Sequence, residues 1–270
     1  MSESNESLVT FITVVFNGVT ELELTINSIL AQTEKRFEYY IIDGGSTDGT
    51  LALIEKYKPQ ITGFISEKDH GLYDAMNKGM KLGIGKYFWF MNAGDQLFSN
   101  DVLEKIFSSL NVTHDERSGN VPRPSSLAPL YPDVIYGETE VLDQHGNHLG
   151  DRRLKAPKKL KWRSLQWGMV VCHQSFLVKR EKCLPYNLKY TFASDIDWMI
   201  RILMRSKTIH NTHLILSKFK SGGVSQKNIR HSLKERFGIM VHYYGFLHTI
   251  HNHVILGTKF FFYYLRHRRI

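Results

Sequence analysis

Cysteine is nearly absent from this chain. Its 270 residues hold two, Cys172 and Cys183, which form no CxxC pair. That argues against a thiolate zinc site and suggests no disulfide framework, so a reducing cytoplasm suits the chain. A basic stretch leading into an apolar core is missing from residues 1–7, which are polar and acidic, and no signal peptide is read there. Residues 237–258 lack Asp, Glu, Lys and Arg but carry His242, His248, His251, Asn252 and His253, a composition poorly suited to a spanning helix. Several nucleotide and catalytic signatures are missing too. No GxGxxG follows the first strand-like run and no GxxxxGK[ST] occurs, against a dinucleotide oxidoreductase and a P-loop enzyme. No GxSxG elbow and no HExxH zinc helix are present. No internal repeat is visible.

What is present is an ordinary globular composition, 42% hydrophobic and 23% charged, with a net charge of +9. The charge suggests an anionic partner: a nucleotide, a membrane surface or nucleic acid. Residues 8–16 (LVTFITVVF) read as a β-rich first strand ending at Asn17-Gly18. Thr20 and Glu23 stand as a capping box for a helix whose buried stripe is Leu22, Ile26, Ile29 and Leu30. Residues 37–42 form a second strand, followed by the glycine-bearing turn 43–50. There Asp48 or Thr47 would cap a short helix over 51–57. A third strand runs over 61–66. The helix expected at 72–82 has close-packing glycines and ends at Gly83 and Gly85. Tyr87-Phe88-Trp89-Phe90-Met91 is an unbroken apolar run, as expected of a strand covered on both faces. This alternation implies an α/β fold with a mostly parallel sheet and right-handed crossovers. Beyond it come a helix over 101–110, a mobile Pro- and Ser-rich loop over 111–130, strands near 134–138 and 174–178 and a turn at 144–147. A helix opens at 194, a flexible loop spans 221–225, and helical, aromatic and basic residues fill the rest.

The apolar fourth strand breaks abruptly into Asn92-Ala93-Gly94-Asp95. Open α/β sheets bind ligands at the carboxyl ends of their strands, and a carboxylate there suits a divalent metal and, through it, a phosphate. Asp43 and Asp48 follow the second strand at the same edge, and Asp195 and Asp197 open a later helix. Each has a simpler reading as a helix cap or turn residue, least easily so for Asp95. His173 reads as a structural histidine. The basic stretch Lys155, Lys158, Lys159, Lys161 and Arg163 is either a solvated loop or a contact with anionic lipid or phosphate.

Taken together, Thr13-Val14-Val15-Phe16-Asn17, residues 28–33 (SILAQT), residues 42–50 (IDGGSTDGT), residues 66–79 (SEKDHGLYDAMNKG), Phe90-Met91-Asn92-Ala93-Gly94-Asp95, His173-Gln174 and residues 193–197 (ASDID) resemble the family 2 glycosyltransferases over residues 8–225. The Asn-x-Gly-Asp turn is similar to that of bacterial colanic-acid, exopolysaccharide and O-antigen transferases. The resemblance implies a GT-A, Rossmann-like domain over residues 1–225 with a C-terminal helical extension over 226–270. It implies an inverting transfer of sugar from a nucleotide-sugar donor, usually a UDP-sugar, to a glycan or polyprenyl-linked acceptor. Carried over by position, Thr13 and Asn17 would line the nucleotide pocket and Asp43 would contact the base. Asp69, Asn77 and Lys78, with Asn92, would border the diphosphate and sugar. Asp95 would help bind Mg²⁺ or Mn²⁺, and Asp195 would be the general base, with Asp197 as its alternative.

The chain departs from the family pattern at the metal turn, where Asn92 and Gly94 leave Asp95 as the lone acid, and Ser194 replaces the usual Glu before Asp195. The reduced motif keeps open a second reading, a catalytically silent scaffold that binds nucleotide or membrane. A nucleotidyltransferase would need a glycine-rich signature that residues 16–19 lack, and no nucleic-acid motif accompanies the charge. The aromatic, basic C-terminal segment suits peripheral contact with the cytoplasmic leaflet of a bacterial inner membrane, or packing on the domain, or a homo-oligomer contact.

Overall fold

The computed structural model describes residues 6–112, 131–143, 145–149, 152, 154–221 and 228–267. The elements run β1 (Val9–Val15), α1 (Val19–Leu30), β2 (Phe37–Asp43), α2 (Thr50–Tyr57), β3 (Gly63–Ser66), α3 (Leu72–Met80), β4 (Tyr87–Phe90), β5 (Gln96–Leu97) and α4 (Val102–Val112). There follow β6 (Val134–Leu142), β7 (Phe176–Lys179), α5 (Ser194–Arg205), β8 (Ile209–Lys220), α6 (Ile229–Tyr244) and α7 (Phe246–His267). The strands form one sheet ordered β3-β2-β1-β4-β7-β6-β8-β5. The first four are mutually parallel, and antiparallel β7 extends the sheet from β4. The expected α/β architecture is present, as a mixed sheet with helices on both faces. Most of the loop expected at 111–130 and of the segment at 221–225 lies outside the described residues, as do Gln144 in the expected turn and residues 268–270.

Alternation along the strands builds the layers, because successive strand side chains point to opposite faces. Val9, Phe11 and Val15 of β1 and Tyr87 and Trp89 of β4 join one core with Leu22, Ile26 and Ile29 of α1 and the apolar side of α4. Ile12 and Val14 of β1 and Phe88 and Phe90 of β4 join the other core, with α3 and α5. Every residue of β4 is buried, which accounts for its apolar run. Gly79 lets α3 press onto the sheet, since a Cβ there would stand 2.5 Å from the Ile12 side chain. The C-terminal segment shares this core: Ile239 and Met240 of α6 belong to the α3–α5 cluster.

Two local expectations need correction. Thr20 and Glu23 form no capping box. Gly18 precedes α1 with no side-chain cap of its own. The exposed N–H groups are met from the neighbouring turn: Gly18 N–H donates to Thr50 Oγ1 at 3.2 Å and Val19 N–H to Asp48 Oδ2 at 3.3 Å. Glu23 instead meets Lys56 and the Tyr57 hydroxyl. The strand expected to begin at 174 begins at Phe176, behind a 3₁₀ turn over His173–Ser175.

Candidate active site

β2 and β4 flank β1 on opposite sides, so the chain reverses direction across the sheet at β1, and a cleft opens at that switch point. The loops after β1, β2 and β3 are stitched together there. Asn17, at φ +49°, donates its N–H to Ser46 Oγ at 2.7 Å and accepts the Thr47 N–H on Oδ1 at 2.8 Å. Phe16 beside it is 65% exposed. Asp43 closes β2 fully buried. Its carboxylate accepts the Ser46 N–H and hydroxyl and, at 2.6 Å, the Ser66 hydroxyl. Asp43 therefore shapes the turn from beneath and presents no surface to a base. The Asp69 carboxylate lies across Gly44, where a Cβ would meet it at 2.5 Å, and accepts the Gly71 N–H at 2.8 Å. Asn17 and Asp69 thus stand at this edge.

Two expected contacts, Thr13 and Asn77, are spent elsewhere, and Lys78 supports the edge from beside Asp69. Thr13 is fully buried and its hydroxyl accepts from the Tyr39 hydroxyl at 3.1 Å, because odd positions of β1 face the α1 layer. Asn77 spends its side-chain amide on the Tyr186 backbone, accepting at 2.7 Å and donating at 3.0 Å. Lys78 pairs with Glu67 at 2.8 Å and donates to the Lys68 carbonyl. It holds the loop that carries Asp69.

The acidic turn after β4 is anchored from α1. Thr25 Oγ1 accepts the Gly94 N–H at 2.9 Å and donates to the Asp95 carbonyl at 2.8 Å, and Gly94 takes φ +100°. The Asp95 carboxyl is buried. It accepts the Asn92 N–H at 3.1 Å and the Gln174 amide at 3.3 Å. Burial pushes its pKa up to about 7, against those two hydrogen bonds, which lower it. Asn92 Oδ1, in the same turn, is buried without a hydrogen-bond partner. A buried carboxyl without a cation and an orphaned carbonyl oxygen are hard donors of the kind Mg²⁺ and Mn²⁺ accept, with diphosphate oxygens and water completing the shell. The residues therefore fit a divalent ion bound jointly with a nucleotide. Among the described residues no group of three or more His, Cys, Asp or Glu side chains could hold an ion alone.

The second acid comes from α5. Asp195 lies in its first turn, half-buried. The Tyr73 hydroxyl, from α3, meets both backbone and carboxylate of Asp195; burial first and this carboxylate second hold its pKa far above normal, while the Arg236 guanidinium opposes them. Beneath lies an aromatic stack: Tyr186 on Trp198 at 4.7 Å and on Tyr73 at 5.4 Å. His173 is buried in it against Phe90 and Trp198, and burial lowers its pKa to about 4 although Asp195 acts the other way. It is a neutral structural ring. Burial raises the Cys172 thiol, with the Asp95 and Asp195 charges adding to it and Arg152 and Thr139 opposing. Asp197 is withdrawn: Arg201 holds one carboxylate oxygen at 2.7 Å and the Tyr243 hydroxyl the other at 2.8 Å. Both cysteines are free thiols.

Gln174, Tyr73, Arg152 and Arg236 were given no role by the sequence. Gln174 and Tyr73 stood in quoted motifs, but the two arginines have no local signature. Arg152 Nη1 and Arg236 Nε are, like Asn92 Oδ1, buried without a hydrogen-bond partner. Arg152 acts on the Cys172 thiol and Arg236 on the Tyr73 hydroxyl, so each brings positive charge to the neighbourhood of those groups.

The family model for glycosyl transferase family 2 matches residues 10–184, more than half of the chain, and the protein belongs to that family. A PGL/p-HBAD biosynthesis glycosyltransferase of Mycobacterium bovis is 29% identical over 217 residues, covering 77% of this chain and 75% of the relative. The structure of S. aureus TarS 1-349 in complex with UDP superposes with a TM-score of 0.63 at 14% identity, over 87% of this chain and 64% of that one. The mannosyltransferase PcManGT from Pyrobaculum calidifontis, in complex with GDP-Man and Mn²⁺, gives 0.61 at 14% identity, over 94% and 70%. At these identities the two solved structures bear on fold alone. They share the GT-A-like arrangement seen here. The match ends before α5, so Asp195 lies outside the matched segment.

The Asp95 carboxyl makes a stability prediction for the metal-free protein. Below pH 3.8, its ordinary value, the group is protonated whether the chain is folded or not. Between there and about 7 only the folded state keeps the proton, so stability falls as pH rises through that window and stays reduced above it. Asp95→Asn removes the effect, worth roughly 4 kcal/mol as an upper bound. In chelator, thermal unfolding should find the variant stabilised relative to wild type at pH 8 and little changed at pH 4. His173 contributes the opposite slope in both proteins, so the comparison isolates Asp95. An equal offset at both pH values would contradict the assignment.

Proposed function

We propose that the protein is an inverting, metal-assisted glycosyltransferase that moves a sugar from a nucleotide-sugar, most simply a UDP-sugar, to a glycan or lipid-linked hydroxyl in bacterial surface-polysaccharide synthesis. The observation that carries the reading is the pairing of two unlike acids. Asp95 is buried beside an orphaned oxygen, and Asp195 is half-exposed at a helix start. The donor reading draws on the UDP and GDP-Man bound by the two structural neighbours, and the pathway on the resemblance of the Asn92–Asp95 turn to that of bacterial exopolysaccharide transferases.

In this mechanism the exposed Phe16 ring and the Asn17–Thr47 loop hold the base, with Asp43 fixing that loop from below. Asn92 and Asp95 would hold Mg²⁺ or Mn²⁺, which when bound offsets the charge of the departing diphosphate. Arg236 adds positive charge beside Tyr73, and Arg152 near Cys172. Asp195 takes the proton of the acceptor hydroxyl as its oxygen bonds to the anomeric carbon, and the bond to the diphosphate oxygen breaks on the opposite face. Configuration inverts and no covalent intermediate forms. An open groove of about 460 Å³, lined by Lys189, Tyr190, His231, Lys234, Glu235 and His242 among others, lies along α6 beside the segment before Asp195 and offers a mixed-charge, polar surface to an acceptor.

The acceptor side also bears on location. Leu247, Ile250 and Val254 form an exposed apolar stripe on α7. Trp162, from the basic stretch, stacks on Tyr244 at 5.4 Å, which sets the exposed Lys158, Lys159, Lys161 and Arg163 near the C-terminal helices. An apolar stripe flanked by cations suits the anionic cytoplasmic leaflet. No helix among the described residues is long and apolar enough to cross a membrane. The silent-scaffold alternative has no observation of its own once Asn92 and Asp95 fit an ion.

The test is turnover of a nucleotide-sugar panel with Mn²⁺ and a bacterial lipid-linked glycan extract. One donor should be consumed by wild type, and Asp195→Asn should lower kcat by about 10²- to 10⁴-fold with donor binding retained. Full activity in Asp195→Asn would remove it as the base, and no turnover of any donor would favour the scaffold. In a flotation assay, vesicles containing phosphatidylglycerol should carry the wild type upward, and Leu247→Glu with Ile250→Glu should reduce the floated fraction by more than half. Equal flotation would sink the membrane contact.

A further inference from the structure

Helix α5 begins without a local cap. Ala193 precedes its first turn, and no side chain of its own caps it. The free N–H groups just ahead are taken instead by a residue more than forty positions further on. Glu235 of α6 accepts the Thr191 N–H on Oε1 at 2.9 Å, and the Phe192 and Ala193 N–H groups on Oε2 at 2.8 and 3.0 Å. These are charge-assisted bonds to three successive backbone donors, stronger and more directional than neutral ones. Two turns along the same helix, the Tyr243 hydroxyl donates to Asp197 at 2.8 Å. The two ties bracket Asp195, one on each side along the chain. Neither Glu235 nor Tyr243 lies within the segment matched by the family model.

We propose that Glu235 is the positioning residue for Asp195, and that α6 is therefore part of the catalytic apparatus rather than an appendage; this rests on the reading of Asp195 as the general base. A carboxylate that must meet an acceptor hydroxyl during bond formation has little tolerance. A displacement of about 1 Å costs on the order of 10²-fold in rate. Three successive N–H groups of the segment that leads into the Asp195 helix are held by this one carboxylate, next to the Ser194 hydroxyl bond to the Asn187 carbonyl at 2.9 Å. Without the carboxylate, three N–H groups lose their acceptor and the first turn of α5 gains freedom to shift. The donor pocket is built by β1, β2, β3 and β4, so nucleotide binding does not depend on this clamp.

The experiment uses the full chain with the donor it turns over. Glu235→Gln leaves a single acceptor oxygen for three N–H groups. It should lower kcat about 10- to 100-fold while KM for the nucleotide-sugar stays within about twofold, because the donor site is untouched. Glu235→Asp, which keeps the charge on a shorter arm, should recover part of the loss. Amide exchange at Thr191, Phe192 and Ala193 should quicken in Glu235→Gln, a readout that needs no turnover. Tyr243→Phe removes only the second tie and should lower kcat less, again without changing donor KM, so the proposal stays testable if Glu235→Gln fails to fold. The inference is overturned if Asp195→Asn is inactive while Glu235→Gln and Tyr243→Phe turn over like wild type, or if kcat and donor KM worsen together. A fully active Asp195→Asn would instead bring down the reading on which it rests.

Discussion

A carboxyl group is buried in the turn that follows the fully buried strand β4, and among the described residues no cation pairs with it. The cost of placing the Asp95 charge there is met only in part by the Asn92 N–H and the Gln174 amide, and its raised pKa records the difference. Proteins keep such groups where something else completes them. Here the completing species would also meet the orphaned Asn92 oxygen. The rest of the site is arranged around that turn. Thr25 of α1 fixes the turn, and the glycine loops after β1 and β2 leave room for a base.

The aromatic stack transmits this arrangement to the second acid. Phe90 ends β4 just before the acidic turn and packs edge-on against both Tyr186 and Trp198. Trp198 belongs to α5, three residues after Asp195, and Tyr73 reaches from α3 to the same carboxylate. A rigid layer of rings thus sets the separation of the two acids. Helix α6 then holds the open end of α5 through Glu235 and Tyr243.

Much of the first half was legible in the sequence because its signals are local. Apolar runs bounded by glycine gave β1 through β4 and the acidic turn, and Asp95 and Asp195 were found as motif positions. What was misread involved partners distant along the chain. The Thr20–Glu23 box lost to Asp48 and Thr50, which arrive from the next loop. Thr13 sits at the right height but faces the wrong layer, as strict alternation along β1 already required. Asn77 and Lys78 carry motif letters yet spend their polar atoms holding loops. Gln174 reaches Asp95 across 79 residues, and no periodicity or spacing in one sequence reports such a contact. Arg152, Arg236 and Glu235 were illegible for the same reason.

The most direct test of the account is a calorimetric titration of UDP into the protein with and without Mn²⁺, for wild type and Asp95→Asn. If the buried carboxyl and Asn92 exist to hold an ion shared with the diphosphate, Mn²⁺ should tighten UDP binding in wild type by about tenfold or more, roughly 1.4 kcal/mol. Asp95→Asn should lose that gain while keeping the metal-free affinity. Equal UDP affinity with and without Mn²⁺ in wild type, or an undiminished gain in Asp95→Asn, would contradict it.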